Sequence, residues 1–110
     1  MYYELSKPEK KIARQIIEKG LQHELKTGIK NLEAIISEWK LKNKDHHDTY
    51  HLLYKSITDF DKGIARRYDR MTGSNYIWII AGQLADGVIT KQDLEPFNEE
   101  VKNIIALLTS

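Results

Sequence analysis

Within seven residues, Asp45-His46-His47-Asp48-Thr49-Tyr50-His51 gathers three of the chain's four histidines with two aspartates. Imidazole nitrogens bind divalent transition metals, and residues four apart share a helical face, so His47 and His51 could present two ligands together. A zinc centre needs three or four protein ligands, and the helical metalloprotease pattern carries Glu where this chain has Asp48. Two imidazoles alone do not complete a site, so no metal is assigned from sequence and the stretch reads as a solvated, polar helix start.

A second stretch, Asp86-Gly87-Val88-Ile89-Thr90-Lys91-Gln92-Asp93-Leu94, resembles the later half of an EF-hand calcium loop. Its first half does not follow. Mapped onto residues 82–93, the loop has Gly82 and Leu84 where oxygen ligands belong and ends in the short Asp93 rather than a bidentate Glu. A tight turn followed by a helix cap explains the same residues without calcium. His23, between Gln22 and Glu24, reads as an exposed or half-buried side chain. No Ser-His-Asp set or carboxylate pair can be assembled from the sequence, so neither a catalytic residue nor a cofactor is expected.

The third candidate is basic. Lys62, Arg66 and Arg70 are spaced by four and would line one stripe of a helix, with Arg67 beside them. Guanidinium groups bond phosphate in pairs, and the Thr72-Gly73-Ser74-Asn75 turn would aim the first N–H groups of a following helix at the same ligand. Ser74 would cap that helix and Tyr68 or Tyr76 could stack on a base. Lys62, Arg66, Arg67, Arg70, Ser74 and Tyr76 therefore form a candidate anion site for a phosphate, a nucleotide or a nucleic acid. Against it, Asp59, Asp61 and Asp69 lie within a helical turn of these cations, which also suit a helix C-terminus. The glycines and lysine of a P-loop are missing.

Composition bounds what such sites could serve. The 110 residues are 41% hydrophobic and 30% charged, an ordinary globular balance for one domain with one core. Without cysteine there is no disulfide, thiolate nucleophile or zinc finger. The longest apolar run, Tyr76 to Ala81, is far short of a membrane span, and Met1-Tyr2-Tyr3-Glu4-Leu5 lacks the features of a secretory signal, so a cytoplasmic location without membrane contact is expected. Net charge is +1, with ten Lys/Arg against six Glu through residue 44 and seven against ten acidic residues beyond it. That asymmetry is too mild to demand nucleic acid and equally fits antiparallel helix packing or head-to-tail association.

The elements that must carry these residues are helical. Ser6 before Pro8 and Glu9 marks a helix start near residue 7. Ile12, Ile16, Ile17, Leu21, Leu25, Ile29, Leu32, Ile36 and Trp39 recur three or four apart, which predicts one long helix over 7–41, about 50 Å if unbroken and with a kink allowed at Thr27-Gly28. After a polar connection capped by Asp45 or Asp48, Tyr50, Leu53, Tyr54, Ile57, Phe60, Ile64, Tyr68 and Met71 predict a second helix over 49–71, antiparallel to the first. Tyr76 to Ala85 is apolar all round and belongs at the centre of a core or under a partner, with Asp86-Gly87 closing it. Thr90-Lys91-Gln92-Asp93 is a capping-box pattern that opens the last helix, whose core face is Leu94, Phe97, Val101, Ile104, Ile105 and Leu108.

The fold class is thus all-α: a small helical bundle of four or five helices built on a long antiparallel helical hairpin, in a single domain over 1–110. A long apolar stripe on a 12.8 kDa chain is most easily covered by a protein partner. The functional expectation is a non-enzymatic interaction or regulatory module that self-associates; the alternative is phosphate or nucleic-acid binding through the basic face.

Overall fold

The computed structural model describes residues 3–109. Among them are four α-helices, α1 (Lys7–Lys42), α2 (His46–Tyr68), α3 (Tyr76–Ala85) and α4 (Glu99–Thr109), a 3₁₀ helix at Lys91–Leu94, and no strand. The all-α reading therefore holds, and α1 runs through Thr27 and Gly28 without a break. No helix among the described residues is long and apolar enough to cross a membrane. The chain divides into two compact units, Met1–His23 with Arg70–Ser110, and Glu24–Asp69.

In the first of these units, the start of α1 is fixed by reciprocal capping. The Glu9 N–H donates to Ser6 Oγ at 3.3 Å and the Ser6 N–H to Glu9 Oε1 at 2.8 Å, satisfying two donors that a helix start leaves orphaned. Glu9 also accepts from Tyr3 Oη at 3.3 Å and from Asn98 Nδ2 at 3.1 Å, tying the chain start to the residue that precedes α4. The Ser6 backbone N–H, more than any other contact, holds the Glu9 carboxyl below its ordinary pKa. The Lys19 ammonium, bonded to Asp93, does the same for that carboxyl.

The apolar α3 forms the centre of this unit, as its composition requires: Tyr76, Ile77, Ile79, Ile80 and Ala81 are buried, together with Ala13, Ile16 and Ile17 of α1 and Val101 and Ile105 of α4. Trp78, at 59% exposure, and Ala85 at the helix end are exposed. Gln83 is wholly buried, and its Nε2 donates to the Ile17 carbonyl at 3.0 Å. This contact requires Gly20, where a Cβ would stand 2.3 Å from Gln83 Nε2 and 3.1 Å from Ile89 Cγ2. Gly87, at φ +74°, then reverses the chain, and the Val88 N–H returns to the Gln83 carbonyl at 2.8 Å.

Two local expectations are corrected here. The capping box at Thr90 and Asp93 forms, but it opens the 3₁₀ helix and not the last helix. Pro96 explains the stop, because it has no N–H to give the Gln92 carbonyl; that carbonyl instead receives the Glu95 N–H at 3.2 Å. A new start follows at Asn98, whose Oδ1 accepts the Val101 N–H at 2.9 Å. Likewise α2 ends at Tyr68, short of Met71, because Asn75 organises the next turn: it takes the Thr72 N–H at 2.9 Å and donates to the Arg70 carbonyl at 2.8 Å.

The second unit is a helical hairpin made by the C-terminal part of α1 and by α2. Asn43 takes a left-handed conformation, φ 47°, which lets α1 stop, and Asp45 caps α2 by accepting the Asp48 N–H at 2.9 Å. Trp39 Nε1 donates to His46 Nδ1 at 2.9 Å beside this turn, the Phe60 ring fills the space over Gly28 midway, and Glu24 meets Arg67 and Tyr68 at the far end. Each advance along α1 is thus matched by a retreat along α2, so the pair is antiparallel. The core is thin: of residues 24–69 only Gly28 and Thr49 are buried.

Two substitutions at glycine should have opposite signs. Gly20→Ala gains helix propensity but drives a methyl into Gln83, so a net loss of about 1–3 kcal/mol is expected in chemical denaturation. Gly63→Ala, at a position with nothing within 4 Å inside α2, should stabilise by about 0.5–1 kcal/mol.

Acid should weaken the unit that holds Glu9 and Asp93. Both folded pKa values lie below the unfolded ones, so the stability they contribute is complete above about pH 4–5 and is lost as pH falls through the folded values. Melting temperatures of Glu9→Gln and Asp93→Asn should change less than wild type between about pH 5 and pH 3.

Candidate functional site

The candidate basic residues divide between the two units, Lys62, Arg66 and Arg67 in the hairpin and Arg70 in the other. Lys62 and Arg66 are exposed on α2, and the four-residue row ends with them because Arg70 lies beyond the helix. Arg67 is turned into the hairpin, where its Nε stands 3.1 Å from Glu24 Oε1 with both side chains below one-fifth exposed. Tyr68 Oη donates to the same carboxylate oxygen. Arg67 and Tyr68 are thereby committed to an internal charge instead of an external anion. Arg70, Ser74 and Tyr76 belong to the other unit. Ser74 Oγ contacts Thr72 Oγ1 at 2.8 Å and caps no helix, Asn75 being the residue at the N-cap position of α3. Tyr76 is buried, at 8% exposure, and offers no face for stacking.

What the hairpin does present is apolar. Ile29, Tyr50 and Tyr54 are about two-thirds exposed (66%, 66% and 64%), Ile57 is 50% exposed and Ile36 42%. Their phase places them together. On α2 the residues turned toward α1 include Thr49, Leu53, Ser56 and Phe60, and on α1 Gly28, Leu32 and Ile35 face α2. Tyr50, Tyr54 and Ile57 each follow a packed residue of α2 by one position, and Ile29 and Ile36 do the same on α1. One residue turns about 100° around a helix, and in facing antiparallel helices that step leads to the same side of the pair. All five therefore share one broad side of the hairpin. Lys26, Glu33 and Asp61, all exposed, share this phase and lie on the same side among them. The sequence shows these residues only as parts of apolar stripes with three-and-four spacing; which of them stay exposed once the two helices pack is seen in the fold.

At the turn end of the hairpin the histidines converge. His47 Nε2 lies 3.1 Å from His51 Nε2, the rings meeting edge to face at 84° with centroids 4.5 Å apart. Ligand atoms of Asp45, His47 and Asp48 also lie within 4.8 Å of one another, all on exposed side chains.

The first unit contributes hollows of a different kind. A cavity of about 70 Å³ beside Trp78 is lined by Tyr3, Ser74, Ile77, Ile104, Leu107 and Leu108. An open groove of about 760 Å³ runs between the end of α3, the 3₁₀ helix and α4. Of its two lysines, Lys102 is 3.4 Å from Glu95 and 3.5 Å from Glu99 and pairs with them, while Lys91 is exposed.

Removing the internal anion should be costly. Glu24→Ala leaves the Arg67 guanidinium in a half-buried setting without its carboxylate, and a loss of about 1–3 kcal/mol is expected in urea denaturation. Adding Arg67→Met should restore part of it, since an apolar pair of similar volume needs no counter-charge. No protein-family model, curated protein or solved structure is significantly similar to this chain.

Proposed function

We propose that the protein is a non-enzymatic interaction module that pairs with a second copy of itself through the broad apolar side of the hairpin. The observation that carries this reading is the set of five exposed side chains, Ile29, Ile36, Tyr50, Tyr54 and Ile57, on one side of a unit with almost no buried core. With aromatic side chains of about 150–250 Å², the exposed parts of these residues amount to on the order of 500 Å² per copy, most of the ~800 Å² a stable interface needs from each partner.

Charge complementarity supports a second copy as the occupant. A two-fold axis parallel to the hairpin lays each α1 against α2 of the other copy in the antiparallel sense already used within the chain. At that register Ile29 faces Ile57 of the other copy and Ile36 faces Tyr50. On the same side, Lys26 meets Asp61, and Glu33 can accept from the Tyr54 hydroxyl. The rival arrangement, α1 over α1 with the turns at opposite ends, centres near Glu33 and sets Lys26 against Lys40. The paired assembly is a four-helix bundle whose second layer supplies the core that one hairpin lacks.

Light scattering after size-exclusion chromatography should give twice the 12.8 kDa chain mass, falling on dilution. Ile57→Glu should weaken pairing at least about tenfold, equivalent to ~1.4 kcal/mol, with helical content unchanged. Lys26→Glu and Asp61→Lys should each weaken it, and the double charge swap should recover it. A wild-type protein that stays a single chain at about 100 µM would sink the proposal.

A further inference from the structure

We infer that the first two turns of α2 form a binding site for a late first-row divalent ion such as Zn²⁺ or Cu²⁺, with His47 and His51 as its paired imidazole ligands. An ion about 2.0–2.1 Å from two imidazole nitrogens holds them about 2.9 Å apart at a right angle and about 3.3 Å apart at the tetrahedral angle. The observed Nε2 to Nε2 separation of 3.1 Å lies between these values. This contact is a hydrogen bond between the rings, so the two nitrogens already stand at a chelate's separation and an ion would take the place of the shared proton; the helix sets the separation by placing the side chains one turn apart.

Two ligands alone bind weakly, and here the fold adds what the sequence could not promise. The Asp45, His47 and Asp48 ligand atoms lie within 4.8 Å of one another, so a carboxylate stands within a side-chain rotation of the His47 imidazole. Asp45 spends one oxygen, Oδ2, on the Asp48 N–H and keeps the other. Asp48 is exposed and free to turn. These carboxylates also offset the positive end of the α2 dipole, which by itself would repel a cation. Waters fill the remaining positions on an exposed site. The ligand chemistry, imidazole with a carboxylate, selects zinc, copper or nickel over magnesium or calcium, which favour oxygen alone. His46 stands apart, because its Nδ1 accepts from Trp39.

An ion bound here joins the first turn of α2 to the second, so it should stiffen the hairpin beside its connection. The inference is independent of self-pairing: it needs one chain, and it holds whether the protein is monomeric or paired.

The test is isothermal titration of the tag-free full chain with Zn²⁺, Cu²⁺ and Ca²⁺. Expected is one Zn²⁺ or Cu²⁺ per chain, copper binding tighter than zinc, with no heat from Ca²⁺, and a melting temperature that rises with metal. His47→Ala and His51→Ala should each lose at least about tenfold in affinity, while Asp48→Asn loses less and His23→Ala leaves it unchanged. Circular dichroism should confirm that the variants keep their helices. Absence of binding at millimolar Zn²⁺ and Cu²⁺, or affinity kept within threefold by either histidine variant, would overturn the inference.

Discussion

Both units depend on a bulky side chain seated over a glycine of α1. At Gly20 the amide of Gln83 enters and finds the Ile17 carbonyl; at Gly28 the ring of Phe60 enters, so close that a Cβ would stand 2.5 Å from Cζ. Each glycine weakens the helix by about 1 kcal/mol relative to alanine, and the chain keeps both. The gain is distance: with no side chain between them, α1 and the element opposite approach closely enough for dispersion and burial to exceed that cost. Inside the first unit the approach also puts a polar group at the centre of an apolar core with a partner for its N–H, which an arbitrary displacement of α3 along α1 would forfeit.

The two units differ in how completely they solve the burial problem. An apolar helix such as α3 must be covered, and α1, α4 and the segment carrying Ile89, Leu94 and Phe97 cover it except at Trp78 and Ala85. A two-helix hairpin cannot do the same. Two cylinders in contact hide one strip of each, while the apolar arc of α2 extends from Thr49 and Phe60 round to Tyr50 and Tyr54, and that of α1 from Gly28 to Ile29 and Ile36. Folding of the hairpin is helped by caps at Asn43 and Asp45 and by the Glu24, Arg67 and Tyr68 cluster, none of which covers apolar surface. The surplus surface is therefore a consequence of having two helices where the pattern is written for more, and a second layer is the simplest way to remove it from water.

Much of this was legible in the sequence wherever one local rule acts alone. Ser6 and Glu9 start α1, Asp45 starts α2, Gly87 ends α3, and a segment without a polar face, Tyr76 to Ala85, lies at the centre of its unit. Legibility failed where two rules compete. The box at Thr90 and Asp93 satisfies the same N–H groups whether a 3₁₀ or an α-helix follows, and Pro96, a few residues on, decides between them. The apolar period of α1 runs unbroken past His23 and Glu24, so nothing in the spacing shows that its first part packs on α3 and the rest on α2. Spacing of four would likewise align Lys62, Arg66 and Arg70 on one helix, but α2 ends at Tyr68, before Arg70, at the turn built on Asn75.

The histidine stretch shows the opposite relation between pattern and geometry. Counted along the chain, His47 and His51 are two ligands, and Asp48 is one methylene short of the Glu that a helical hydrolase pattern would need. That shortness argues against a positioned general base and says nothing about coordination, where a short carboxylate close to the backbone is an adequate third ligand. The cap makes the difference. By accepting the Asp48 N–H, Asp45 brings its carboxylate back over the first turn, toward His47, which spacing alone would have placed on another face. A residue that starts a helix thus also supplies negative charge beside the His47 imidazole.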